Sequence, residues 1–195
     1  MNYDIKTCDV LKCNKCDISI DRKQIVNGYG NINSKILFIG EAPGYYEDKH
    51  GVPFVGASGN LFNNLLNHIG LSRKDVYVTN VLKCRPPRNR TPLVGEVNNC
   101  LDYLKFEIAT LNPKIVILLG NIAFRTYFGN HKLAIKQYRG RIIPIKDRYI
   151  IPMYHPSYIL YNKDNRDLMN SYYNDFITIS KLYRHFINPL LTVKY

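Results

Sequence analysis

Short apolar runs alternate along the chain with segments whose apolar residues recur every three or four positions. Lys35-Ile36-Leu37-Phe38-Ile39-Gly40 is one such run, closed by glycine, as a strand buried on both faces would be. Residues 75–81, 115–120 and 149–154 have the same character and predict three further strands. Between them, Leu61, Phe62, Leu65, Leu66 and Ile69 mark one face of a helix, with Ser58 as its expected N-cap and Gly70 as its stop. Val97, Leu101, Leu104 and Ile108 mark a second helix, and residues 122–128 a short third. A long amphipathic helix is expected over 167–186, with Leu168, Tyr172, Phe176, Ile179 and Tyr183 on one side. Buried strands alternating with helices predict the α/β class, here a three-layer α/β/α sandwich around a central, mostly parallel four-stranded sheet.

Such sheets bind ligands beyond the carboxyl ends of their strands. Those ends carry Gly40-Glu41-Ala42-Pro43-Gly44, Asn80, Gly120 and His155-Pro156-Ser157. Polar groups suited to recognition therefore gather at one edge of the expected sheet.

Composition narrows the class. A chain of 195 residues, 46% hydrophobic, suits a single domain over 1–195 and argues against disorder. No apolar run reaches the ~20 residues of a membrane span, and the first residues lack a secretory pattern, so a cytoplasmic location is expected. Lys and Arg number 27 against 15 acids, a net charge of +12 that favours an anionic partner, nucleic acid or a membrane surface. A generally lysine-rich composition explains the charge equally well.

The cysteines change the picture more. There are five, Cys8, Cys13, Cys16, Cys84 and Cys100, so a fully paired disulfide framework within one chain is impossible. In a cytoplasmic protein such clustering points to metal or redox chemistry. Cys13 and Cys16 form a C-x2-C pair, while fifteen residues separate Cys84 from Cys100, which excludes a simple zinc ribbon. Four thiolates can hold zinc or an iron–sulfur cluster; buried thiols acting as small apolar groups are the plainer alternative.

Gly40-Glu41-Ala42-Pro43-Gly44, Gly51-Val52-Pro53-Phe54-Val55-Gly56, Thr79-Asn80-Val81-Leu82-Lys83-Cys84-Arg85-Pro86-Pro87 and His155-Pro156-Ser157, taken in this order, resemble the family 4 uracil-DNA glycosylases. The likeness runs from about Cys13 to the helix after His155. It implies a monofunctional enzyme of base excision repair. Such an enzyme flips uracil out of DNA and hydrolyses the N-glycosidic bond, leaving an abasic site. It also implies a structural 4Fe-4S cluster on Cys13, Cys16, Cys84 and Cys100, pinning the N-terminal segment and the loop at 85–90; Cys8 falls outside the pattern.

The chemistry assigns parts within that resemblance. Uracil departs as an anion, so His155 is expected to donate a hydrogen bond to the developing oxyanion. Asn80 offers the donor and acceptor that uracil O4 and N3–H require and that cytosine mismatches. Phe54 would stack on the flipped ring. Main-chain N–H groups around Glu41 and Ala42 would reach uracil oxygens, with Gly40 permitting close approach. The family 1 enzymes place a water-orienting Asp where this chain has Ala42, so Glu41 is the acidic candidate, with Glu47 and Asp48 nearby; the resemblance gives Glu47 a part in excluding the thymine methyl. A core histidine, a strand-ending asparagine and a core phenylalanine are the structural alternatives.

Lys83, Arg85, Arg88 and Arg90 are expected to contact phosphates, and Tyr158, Ile159 and Leu160 to wedge into the gap left by the flipped base. The alternatives are a solvated loop and packing against the final helix. Uracil-containing DNA, single- or double-stranded, is the implied partner, met on the nucleoid by a monomer that binds no membrane; a sliding-clamp partner is not readable. Three competing functions remain. One is a superfamily relative acting on another damaged base. A second stays covalently attached to its abasic product, but needs a His in the basic loop, and residues 85–92 have none. The third is a non-catalytic iron–sulfur nucleic-acid-binding module, disfavoured by the intact Asn80 and His155.

Overall fold

The computed structural model describes residues 12–187, so Cys8 lies outside the described residues. The four expected strands form the parallel centre of the sheet: β2 (Ile36–Gly40), β3 (Tyr77–Asn80), β4 (Ile115–Leu119) and β6 (Arg148–Met153). Two short antiparallel strands, β1 (Tyr29–Gly30) and β5 (Ile143–Ile145), extend it to six in the order β1-β3-β2-β4-β6-β5. The edge strands escape a sequence reading because two or three residues carry no alternation. Pro144 is tolerated because β5 is an edge.

Period-two alternation explains why the central runs are apolar throughout. Leu37 and Ile39 of β2 and Val116 and Leu118 of β4 pack with Leu104 of α4 (Val94–Leu111) and Phe124 of α5 (Asn121–Phe128). Ile36, Phe38, Ile115 and Ile117 pack with Phe62 and Leu65 of α3 (Ala57–His68) and Tyr172 and Phe176 of α7 (Arg166–Ile187). Both faces of the sheet are thus covered, as the three-layer expectation requires. The Phe38 and Phe62 rings meet edge to face at 4.8 Å. Truncating Phe38, which is fully buried, to Ala would cost about 3–5 kcal/mol.

Local signals fix most boundaries. Gly70 stops α3 as expected, at φ +75 with its N–H on the Asn67 carbonyl. The N-cap of α3 is Gly56, not Ser58, which sits inside the first turn. Three short helices were not expected: α1 (Ile18–Asp21), α2 (Tyr45–His50) and α6 (Pro156–Tyr161). None is long enough to show periodicity, although Pro156 at the first helical position of α6 is a start signal. No helix among the described residues is long and apolar enough to cross a membrane.

Candidate active site

Beyond the carboxyl ends of β2, β3 and β6 lies a cleft of about 520 Å³ lined by Glu41, Ala42, Phe54, Asn80 and His155 among others. That size suits a small ligand. Gly40 and Asn80 are register partners at the ends of β2 and β3. A β-carbon on Gly40 would collide with Asn80 Oδ1 and lie 2.7 Å from Phe54 Cζ. Glycine is therefore what lets the amide and the ring close on one another. Asn80 is buried, and its Oδ1 has no hydrogen-bond partner among the described residues. An unpaired buried acceptor costs about 1–3 kcal/mol, and Asn80 lines the cleft, where a bound ligand can supply the partner.

Phe54 occupies the left-handed region at φ 57, a strained conformation for a bulky residue. Its neighbours hold it there. Glu47 accepts N–H bonds from Val55 and Gly56, both at 3.0 Å, and from Gly44 at 3.1 Å. Arg73 donates to the Pro53 carbonyl at 2.5 Å. Gly59 leaves room for the Phe54 carbonyl, which any β-carbon there would strike. Both Glu47 oxygens thus accept from main chain and tie down the Phe54 loop, while the residue itself lines the cleft. Glu41 lines the cleft too, but its carboxylate has no hydrogen-bond partner among the described residues, and burial raises its pKa above 4.5.

His155 caps α6. Ser157 donates its main-chain N–H to His155 Nδ1 at 3.2 Å, and the Ser157 hydroxyl lies 2.8 Å from the same nitrogen. An Nδ1 that accepts carries no proton, so the neutral ring holds its proton on Nε2. Burial pushes the His155 pKa down to about 4, slightly opposed by Glu47. The ring is therefore a neutral donor at pH 7. It lies 5.7 Å from the Phe54 ring at a tilt of 36°.

Cys13, Cys16, Cys84 and Cys100 line a second recess with Arg22, Leu82 and Asn99. The four are free thiols, which is consistent with ligands and not with disulfides. Arg22 Nη1 lies 3.4 Å from Cys84 Sγ, and the Lys83 main-chain N–H donates to Cys100 Sγ at 3.4 Å. Burial raises the Cys16 and Cys84 pKa values and pushes Cys100 up to about 11. Among the described residues, no three His, Cys, Asp or Glu side chains converge as one metal ion would require.

The model of the uracil DNA glycosylase superfamily matches residues 27–177. The chain belongs to that superfamily. A type-4 uracil-DNA glycosylase of Thermotoga maritima is 42% identical over 157 residues, covering 80% of this chain and 82% of the relative. One from Archaeoglobus fulgidus is 40% identical over 181 residues, 89% of each chain. A type-5 uracil-DNA glycosylase of Thermus thermophilus is 32% identical over 151 residues, 68% of each.

In this superfamily member the expected DNA contacts need correction. Lys83 is buried, with its ammonium on Glu107, Thr79 and the Asn80 carbonyl, so it cannot meet a phosphate. Ile159 is fully buried and cannot wedge between bases. Tyr158, Ile159 and Leu160 stand on α6, not on a loop tip; Tyr158 is 46% exposed against the Tyr154 ring, and Leu160 is half-buried. Arg88 is exposed, while Arg85 bonds Asn89 and stacks over Tyr45, and Arg90 pairs with Glu96. The sequence reading passed over Tyr45 and Tyr46, which line the cleft together with Tyr161, a side chain 88% exposed. The aromatic pair directly after the Gly40–Gly44 motif was the available signal.

Proposed function

We propose that this chain is a uracil-DNA glycosylase of the type-4 kind, acting as a cytoplasmic monomer on uracil in single- or double-stranded DNA. The observation that carries the reading is the convergence of Asn80, Phe54 and His155 at the end of the sheet, made possible by Gly40.

The steps follow from the groups. A flipped uracil stacks on Phe54. Asn80 supplies its amide N–H and its unpaired Oδ1 to the pyrimidine edge, a pattern cytosine cannot match. Main-chain N–H groups at Glu41 and Ala42 approach the base oxygens. As the glycosidic bond breaks, electrons move onto the base, and His155 Nε2–H donates to the oxygen where charge collects. His155 stays neutral and gives up no proton. Glu41 orients the water that attacks the sugar carbon as the carbon–nitrogen bond breaks, and its carboxylate takes up the proton that this water sheds while uracil leaves as its anion. Arg88, with Arg85 and Arg90 beside it, meets the phosphates, and exposed Tyr158 and Tyr161 lie against the displaced strand. Cys13, Cys16, Cys84 and Cys100 fit a 4Fe-4S group, since a cluster takes its thiolates around a volume, as these line their recess. When bound, the cluster supplies a structural cross-link between the segment at Cys13 and the end of β3.

The test is excision from a uracil-containing oligonucleotide, with abasic sites cleaved by alkali, over a panel of mismatches. Cleavage at uracil only is expected; an uncut strand, or one cut at another base, refutes the reading.

A further inference from the structure

Lys83 Nζ places its donors on three acceptors: Thr79 Oγ1 at 2.6 Å, the Asn80 carbonyl at 2.8 Å and Glu107 Oε2 at 2.6 Å. Glu107 Oε2 also accepts from the Thr79 hydroxyl at 2.8 Å, and Oε1 from the Gly28 N–H at 3.1 Å. Lys83 and Glu107 are both buried, with side chains 2% and 4% exposed. An ammonium has three donors and all are used, so the network is complete and electrically neutral.

Its position is the informative feature. Asn80 ends β3, and its amide oxygen has no hydrogen-bond partner among the described residues. The orientation of that amide therefore depends on the main chain that carries it, and Lys83 grips that main chain by folding back over it. The same residue donates its N–H to Cys100 Sγ and accepts from Val26 N–H at 2.8 Å. One residue thus joins the cysteine recess to the base-recognising asparagine. A buried ion pair contributes little net stability compared with apolar residues of similar volume. Its retention is understandable if it fixes geometry.

We propose that Lys83 and Glu107 form a positioning pair that sets the Asn80 amide for uracil, acting through the Asn80 carbonyl. This rests on the uracil pocket proposed above. The pair touches no substrate, and with its charges cancelled it does not act as an electrostatic catalyst.

The test is a mutant cycle in single-turnover excision from uracil-containing duplex. The double substitution Lys83→Met with Glu107→Leu replaces the pair by apolar groups and preserves the packing. It is expected to keep the cooperative thermal transition and parent DNA affinity, to lose about ten- to a hundredfold in excision rate, as small misplacements do, and to lose selectivity against cytosine. In an Asn80→Ala background the same double substitution should change the rate little, because its effect runs through Asn80. Should the double variant fail to fold, Glu107→Gln, isosteric and milder, is carried through the same cycle with a smaller loss of the same sign. Folded variants excising at the parent rate, or losing rate equally with and without Asn80, overturn the proposal. A parent chain that leaves uracil in place overturns the function itself, and this role with it.

Discussion

Gly40 and Asn80 stand side by side at the ends of β2 and β3, so close that a β-carbon on Gly40 would strike the Asn80 amide oxygen. Gly40→Ala must push Asn80 or Phe54 aside. Overpacking of this kind costs about 1–3 kcal/mol. Thermal unfolding should register that loss, and single-turnover excision should fall further than stability does, because both displaced residues face the base. A Gly40→Ala chain that is destabilised yet excises uracil at the parent rate would show that the pocket tolerates the shift.

The cysteine recess makes a compositional prediction. Protein prepared without oxygen should carry iron and acid-labile sulfide in equal amounts, as a cubane cluster does. Cys84→Ala or Cys100→Ala should release the iron and lower the unfolding temperature. Cys8→Ser should do neither. Stoichiometric zinc without sulfide would refute the cluster.

Salt dependence separates the basic residues. Arg88 is exposed, so Arg88→Ala should weaken normal and uracil-containing DNA alike and reduce the slope of log affinity against log salt by about 1. Lys83 is buried against Glu107, so Lys83→Met should leave that slope unchanged. Fluorescence anisotropy across a salt series reads both. An altered slope for Lys83→Met would contradict its burial.

These two residues also show what the sequence could reveal. Lys83 lies among arginines in a basic stretch, and local reading assigns it to phosphate. Its partner Glu107 comes 24 residues later, on α4, and only folding brings the two together. Ile159 presents the same difficulty: an apolar residue near a loop looks alike whether it wedges into DNA or packs inward. The parallel strands were legible because burial on both faces leaves a continuous apolar run, as in Ile115–Leu119. Helices of six residues, α2 and α6, were not, because they complete fewer than two turns. Gly40, Asn80 and His155 were visible as strand-end residues. The loop that holds Phe54 was not, since the Glu47 contacts to Val55 and Gly56 bridge eight and nine residues without any periodic signal.

The pH profile tests the role of His155. Its pKa drops from the ordinary 6.5 to about 4 on burial. A group with a depressed cationic pKa is neutral in the folded protein across the range where the unfolded chain takes up a proton. The unfolded state therefore binds more protons below about pH 6.5, and stability contributed by neutral His155 is present above that value and declines as pH falls toward 4. Excision should accordingly show no loss centred near 6.5. Its acid limb should follow Glu41, whose carboxyl burial pushes above its ordinary pKa and whose carboxylate must be ionised to hold water. Glu41→Gln should slow the reaction and flatten that limb. His155→Ala removes the oxyanion donor and should cost about 10²–10³-fold in single-turnover rate, the usual loss for such a group, with DNA affinity retained. If the parent rate instead falls through a pKa near 6.5 and His155→Ala abolishes that step, the imidazole titrates in the working range and the neutral-donor mechanism is wrong. If His155→Ala binds DNA poorly but excises at the parent rate once bound, the residue belongs to the DNA interface.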